Sequence, residues 1–131
     1  MVASRERGGL FFDEAWGDER VRLHSECVIE ACLALCSNTD LDPDVFVIAG
    51  WVHDLGRKVD KGSHHLVSLR FLDGFLEENP GFAYLRDDVE DCIRNHRSGG
   101  TPETLYGRVF QCADKVALRD KRWLAYERSS G

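Results

Sequence analysis

His24, His53 and Asp114 occupy positions where helical periodicity calls for apolar side chains. His24 shares a stripe with Val21, Val28, Ala31 and Leu35. His53 falls on the side of Phe46, Ala49 and Gly50, with Asp54 directly after it, and Asp114 interrupts the apolar run from Val109 to Leu118. A carboxylate among such neighbours is costly to bury unless it is paired or bound to a metal. A lone histidine on an apolar face is usually a hydrogen-bonded core residue, but several converging positions in one short chain favour a site. Imidazole nitrogens and carboxylate oxygens on facing helices form an ordinary metal cage, and this donor mixture suits Mn, Fe, Co, Ni, Zn or Mg. Neighbouring residues on a helix point about 100° apart, so His53 and Asp54 cannot project alike. Asp54 must therefore swing across at the helix end or lie between two ions.

Helices must carry these residues. The spacing predicts one from about Asp18 to Cys36 and a second from Pro43 to about Leu55, opened by Asp42-Pro43 and stopped by Gly56. A third runs from His64 to about Glu78, capped by Ser63 and ended by Asn79-Pro80-Gly81. A fourth extends from near Asp87 to Asn95 or His96, with Val89, Cys92 and Ile93 inward. Thr101 or Thr104 opens a fifth, which continues to about Leu118. Met1–Gly17 is read as a mixed segment packing Leu10, Phe11, Phe12 and Trp16 against the body. The expectation is an all-α bundle of about five core helices forming a single domain over residues 1–131.

Composition bounds the function. The 131 residues are 43% apolar, 17 basic against 23 acidic side chains give a net charge of −6, and no apolar stretch approaches the ~20 residues of a membrane span. Met1–Phe12 lacks the pattern of a signal peptide. An acidic chain argues against polymeric nucleic acid as partner, although one pocket for a small phosphorylated substrate needs few cations. The five cysteines show no Cys-x-x-Cys spacing and are expected as buried thiols in a reducing cytoplasm.

The order His24, then His53-Asp54, then Asp114 resembles the H…HD…D signature of the HD-domain superfamily of metal-dependent phosphohydrolases. The run Ala49-Gly50-Trp51-Val52-His53-Asp54-Leu55-Gly56-Arg57 is similar to that family's LLHDIGK helix end, and Gln111-Cys112-Ala113-Asp114-Lys115 to its ADK helix. The likeness spans about Val21 to Leu118. His64-His65-Leu66-Val67-Ser68-Leu69 is similar to the H-x-x-V/I-G-A of the binuclear branch, with Ser68 and Leu69 departing from it. It places a ligand at His64, with His65 as neighbour or substitute. Ile93-Arg94-Asn95-His96 is similar to the I-x-x-H that supplies the next histidine. The pattern resembles bacterial dinucleoside polyphosphate hydrolases and other small HD proteins. It departs from the cyclic-di-GMP branch, because Arg97 stands in place of that branch's second histidine and no Gly-Tyr-Pro follows Gly99-Gly100.

The resemblance implies one or two divalent ions held by His24, His53, Asp54 and Asp114, with His64 and His96 for the second and Asp54 bridging. Water activated there would attack phosphorus, with Asp54, Arg57 and Lys115 as catalytic residues. Arg57, Lys58 and Arg97 are the candidate substrate-binding cations, with Lys61 and Arg94 behind them, and Trp51, Phe71, Tyr84 and Tyr106 are candidate pocket aromatics. The expected reaction is hydrolysis of a phosphomonoester or phosphoanhydride of a nucleotide or dinucleotide polyphosphate. The alternatives are a di-iron oxygenase on the same ligands, a nucleotide or metal sensor without turnover, and a helical interaction domain with core histidines.

Overall fold

The computed structural model describes residues 2–130, which form seven α-helices: α1 (Val2–Ala15), α2 (Glu19–Cys36), α3 (Pro43–Val52), α4 (His64–Glu78), α5 (Arg86–Arg94), α6 (Leu105–Ala117) and α7 (Lys121–Ser130). Short 3-10 turns cover Leu55–Lys58 and Pro80–Leu85, and the described residues contain no strand. None of these helices is long and apolar enough to cross a membrane.

Caps explain where the site-bearing helices begin. The Asp18 carboxylate accepts from Val21 N (3.0 Å) and Asp42 from Asp44 N (2.9 Å), with Pro43 in the first turn of α3. Thr104, not Thr101, opens α6, its hydroxyl accepting from Gly107 N at 3.0 Å. Ser63 makes no capping bond; Asp60 takes the amides of Gly62 and Ser63 instead. Every residue from Val45 to Val52 is buried, so α3 is apolar all round and forms the hub of the bundle. Helices α1, α2 and α5 pack on it, α6 lies along α2 and α5, and α4 lies against α5 and the Leu55–Lys58 turn.

The structure corrects several expectations. The N-terminal segment is helical, and its glycines serve close approach to α3: a methyl at Gly8 would stand 2.4 Å from Trp51 Cδ1. Phe12 is fully buried beside Trp51 and Phe11 meets Phe75 edge-on, whereas Leu10 faces solvent. Helices α2 to α6 are the five expected core helices, and α1 and α7 add to them. Helix α3 stops at Val52 rather than Leu55, because the chain tightens into a turn at His53-Asp54. Leu35 is exposed, and Cys112 is exposed while the other four cysteines are buried.

Candidate metal centre

The end of α3 aims two of the candidate ligands. His53 caps the C-terminus of α3 and Asp54 follows at φ −104°, ψ 0°, outside the helix. That break gives Asp54 a direction the helix would have denied it. Its two oxygens then face different partners. Oδ2 lies 3.7 Å from His24 Nε2 and 3.4 Å from His53 Nε2, while Oδ1 lies 3.4 Å from His64 Nε2 and 3.9 Å from His96 Nε2. Asp114 Oδ1 completes the first group at 3.0 Å from His24 Nε2 and 3.5 Å from His53 Nε2. Two sets result, His24/His53/Asp114 and Asp54/His64/His96, each with its ligand atoms within 4.8 Å of one another.

Backbone carbonyls set the imidazole tautomers. The Nδ1 of His53 donates to Gly50 O (2.8 Å), that of His64 to Lys61 O (3.1 Å) and that of His96 to Ile93 O (2.6 Å). Each Nε2 therefore presents a lone pair to the centre, the arrangement found at metal-bound histidines. The consequence is a cluster that calls for a cation. The Nε2 atoms of His64 and His96 stand 3.1 Å apart as two acceptors, and buried His53 Nε2 has no hydrogen-bond partner. Ligand bonds of ~2.1 Å at tetrahedral or octahedral angles put neighbouring donors roughly 3.0–3.4 Å apart, close to the separations seen here. The residues fit a divalent ion in each set, with Asp54 between them.

Electrostatics agree with an anionic centre. Burial disfavours the Asp114 carboxylate, yet the His24 hydrogen bond and the positive charge on the His53 and His24 rings outweigh it and hold its pKa well below the ordinary range. Asp54 is likewise held low, against burial, by His53, His24 and Arg57. Burial opposes a charged His53, but Asp54 and Asp114 raise its pKa to about 9, so a metal ion bound at this ring would take the place of the Nε2 proton. His96 is pushed down to about 4 by burial and by His53.

Residues with no signature in the sequence hold the ligands in place. The buried Ser68 hydroxyl donates to His53 O and accepts from Gly56 N, both at 2.8 Å, so α4 clamps the turn that carries Asp54. This is the serine at which the motif departs from the resembling family. Buried Asp91 accepts from Thr104 N (2.9 Å), Thr104 Oγ1 (2.7 Å), Glu103 N (3.0 Å) and Asn95 Nδ2 (2.9 Å). It ties the end of α5, next to His96, to the start of the helix bearing Asp114. Phe110 stands edge-on to the His53 ring at 5.2 Å and to the His96 ring at 6.4 Å. Only Thr104 among these partners carries a signal in the sequence, as a candidate helix cap.

The candidate cations divide. Arg57 donates from Nε to Asp54 Oδ1 (3.2 Å), and with Arg97 and Lys115 it lines the cavity over the centre. Lys58 is turned away, its ammonium bonded to Ala15 O at the end of α1. His64, not its neighbour His65, reaches Asp54, and His65 Nδ1 is buried without a partner. Trp51 lies on the α1 side and Tyr84 in solvent, and neither they nor Phe71 and Tyr106 line the two cavities at the centre. The aromatic that does is Trp123 of α7, 5.4 Å from the His24 ring.

An all-α bundle that gathers four imidazoles and two carboxylates into two adjoining sets, with Asp54 between them, has the make-up of a metal-binding domain. The chain belongs to the HD domain family, whose family model matches residues 21–119, and that family is one of metal-dependent phosphohydrolases. Among its relatives, a ribonuclease Y of Thermus thermophilus is 28% identical over 113 residues, covering 84% of this chain and 18% of that one. A deoxyguanosinetriphosphate triphosphohydrolase-like protein of Caldanaerobacter subterraneus subsp. tengcongensis is 31% identical over 113 residues, covering 75% of this chain and 33% of that one. The chain thus spans a third or less of the length of these curated relatives. No solved structure matches it at comparable significance.

Proposed function

We propose that the protein is a cytoplasmic metal-dependent phosphohydrolase that cleaves a phosphomonoester or phosphoanhydride bond of a nucleotide or dinucleotide polyphosphate. The observation that carries this reading is Asp54, whose two oxygens face separate histidine pairs across a buried turn. Divalent ions bound there supply an activated water at neutral pH and polarise a phosphoryl oxygen. His24, His53 and Asp114 would hold one ion and His64 and His96 the other, with Asp54 between.

The chain's own groups do the rest. Arg57 donates one N–H to Asp54 and keeps the remainder of its guanidinium toward the cavity, where it can bind non-bridging phosphoryl oxygens. Lys115 and Arg97 also line this cavity and spread the charge that develops as the bond to the leaving group breaks. Asp114 and Asp54 stay ionised, which keeps the His24 and His53 rings oriented on the centre.

One relative's name includes a triphosphohydrolase and the other's a ribonuclease. The net charge of −6 favours a small phosphorylated substrate over a polyanion. Protein reconstituted with Mn²⁺, Co²⁺, Ni²⁺ or Mg²⁺ should hydrolyse members of a panel of nucleoside phosphates and dinucleotide polyphosphates. Cleavage of an RNA oligomer alone, or of no phosphate ester at all, would overturn the proposal.

A further inference from the structure

The metal centre opens into two lobes that share His24, Asp54, Arg57 and Leu118. The first holds His64, His96, Arg97 and Lys115 and accommodates the reacting phosphoryl group in the function proposed above. The second is walled by Arg20, Val21 and Trp123. Arg20 and Trp123 both fall outside the residues matched to the family, 21–119, so this lobe is built in part by segments of the chain that the family match does not describe.

Arg20 is held in readiness. Its guanidinium lies over the Trp123 ring, 4.9 Å from the centroid, and Nη2 donates to Glu127 Oε1 at 2.9 Å. Trp123 is itself buried between His24 and Tyr126, so the platform is firm. One of five guanidinium N–H groups is taken by Glu127, and the others remain on a planar fork that can engage two oxygens of a phosphate. Arg57 borders the same lobe. Beyond the shared His24 and Asp54, the lobe is walled by two arginines and by Val21, Leu118 and Trp123, and the two guanidinium groups, directly beside the centre, suit an anionic group covalently next to the one that reacts.

We propose that Arg20 binds the second phosphate of a phosphoanhydride substrate, so that this lobe selects anhydrides over monoesters. The proposal rests on the phosphohydrolase reading for its kinetic arm but not for its binding arm. Arg20 is about half exposed and its packing is confined to the Trp123 face, which the glutamine stem can still cover, so Arg20→Gln should fold and keep its metal. Calorimetric titration with methylenebisphosphonate in Mg²⁺-saturated buffer should show binding weakened about ten- to hundredfold in R20Q, and by less in Arg20→Lys. In the kinetic arm, R20Q should lower kcat/KM for adenosine diphosphate by a similar factor and leave p-nitrophenyl phosphate hydrolysis unchanged. Wild-type bisphosphonate affinity in R20Q, or equal losses on both substrates, would overturn the assignment. If the wild type hydrolyses neither these compounds nor any other member of the nucleotide panel, the phosphohydrolase reading fails, and the bisphosphonate titration alone decides for or against Arg20.

Discussion

Gly56→Ala tests how tightly the Asp54 turn must sit against α4. A methyl at Gly56 would lie 2.1 Å from His64 O and 2.8 Å from both Ser68 N and Ser68 Oγ. Carbon–oxygen contacts relax near ~3.5 Å, so the turn and α4 must part by about 1 Å or more. Two of the three atoms are backbone, and neither can move away by a rotamer change. Overpacking of this kind costs about 1–3 kcal/mol, and each kcal/mol should lower the melting temperature by roughly 3–5 °C in a chain of this size. The same displacement separates Asp54 from His64, now 3.4 Å apart, whereas His24, His53 and Asp114 are carried by α2, the end of α3 and α6 rather than by α4. Lost positioning of a ligand typically weakens a metal site about 10–100-fold. Titration of metal-free protein with Mn²⁺ should therefore show one site near wild-type affinity and one weakened by that factor, together with a lower melting temperature. Two sites of unchanged affinity in a protein of unchanged stability would refute the reasoning.

Ser68→Ala removes the donor to His53 O and the acceptor of Gly56 N without adding bulk. It should cost about 1–3 kcal/mol in urea unfolding and loosen the same metal site less than Gly56→Ala does. Asp91→Ala should cost about 3 kcal/mol at pH 7, because Glu103 N, Thr104 and Asn95 lose their acceptor. Burial raises the Asp91 pKa, but its hydrogen bonds from Thr104, Glu103 and Asn95 outweigh it and leave the value lowered. The Asp91 contribution is thus present above the unfolded value of about 3.9 and disappears as pH falls through the lower folded one, so wild type and variant should converge in stability only in strong acid. Arg57→Ala should reduce turnover while elemental analysis finds the metal content of the wild type, since its guanidinium touches Asp54 but is not a ligand.

The candidate ligands are legible in the sequence by two routes: His24, His53 and Asp114 as polar residues on apolar helical stripes, and His64 and His96 through the motif resemblance. Histidines and an aspartate on apolar helical stripes have few explanations, and their order along the chain dictates which helices must meet. Helix α1 is not legible: Gly8 and Gly9 depress helix propensity, and only the packing of Trp51 against them shows why they are there. Helix α7 has a single buried anchor, Trp123, and no stripe to announce it. Asp91 and Ser68 escape sequence reading because their partners are mostly backbone groups brought close by tertiary packing, and no spacing rule encodes that. Lys58 shows the converse. A lysine in the right loop carries no information about which way it turns, and the carbonyl it meets belongs to a helix that the sequence does not announce.

The most direct test of the central claim is an anomalous-difference map from crystals grown with Mn²⁺. The account predicts two peaks, one within bonding distance of His24, His53 and Asp114 and one of His64 and His96, each touching a different oxygen of Asp54. A map with no peak among these six residues, or with manganese bound elsewhere on the chain, would contradict it.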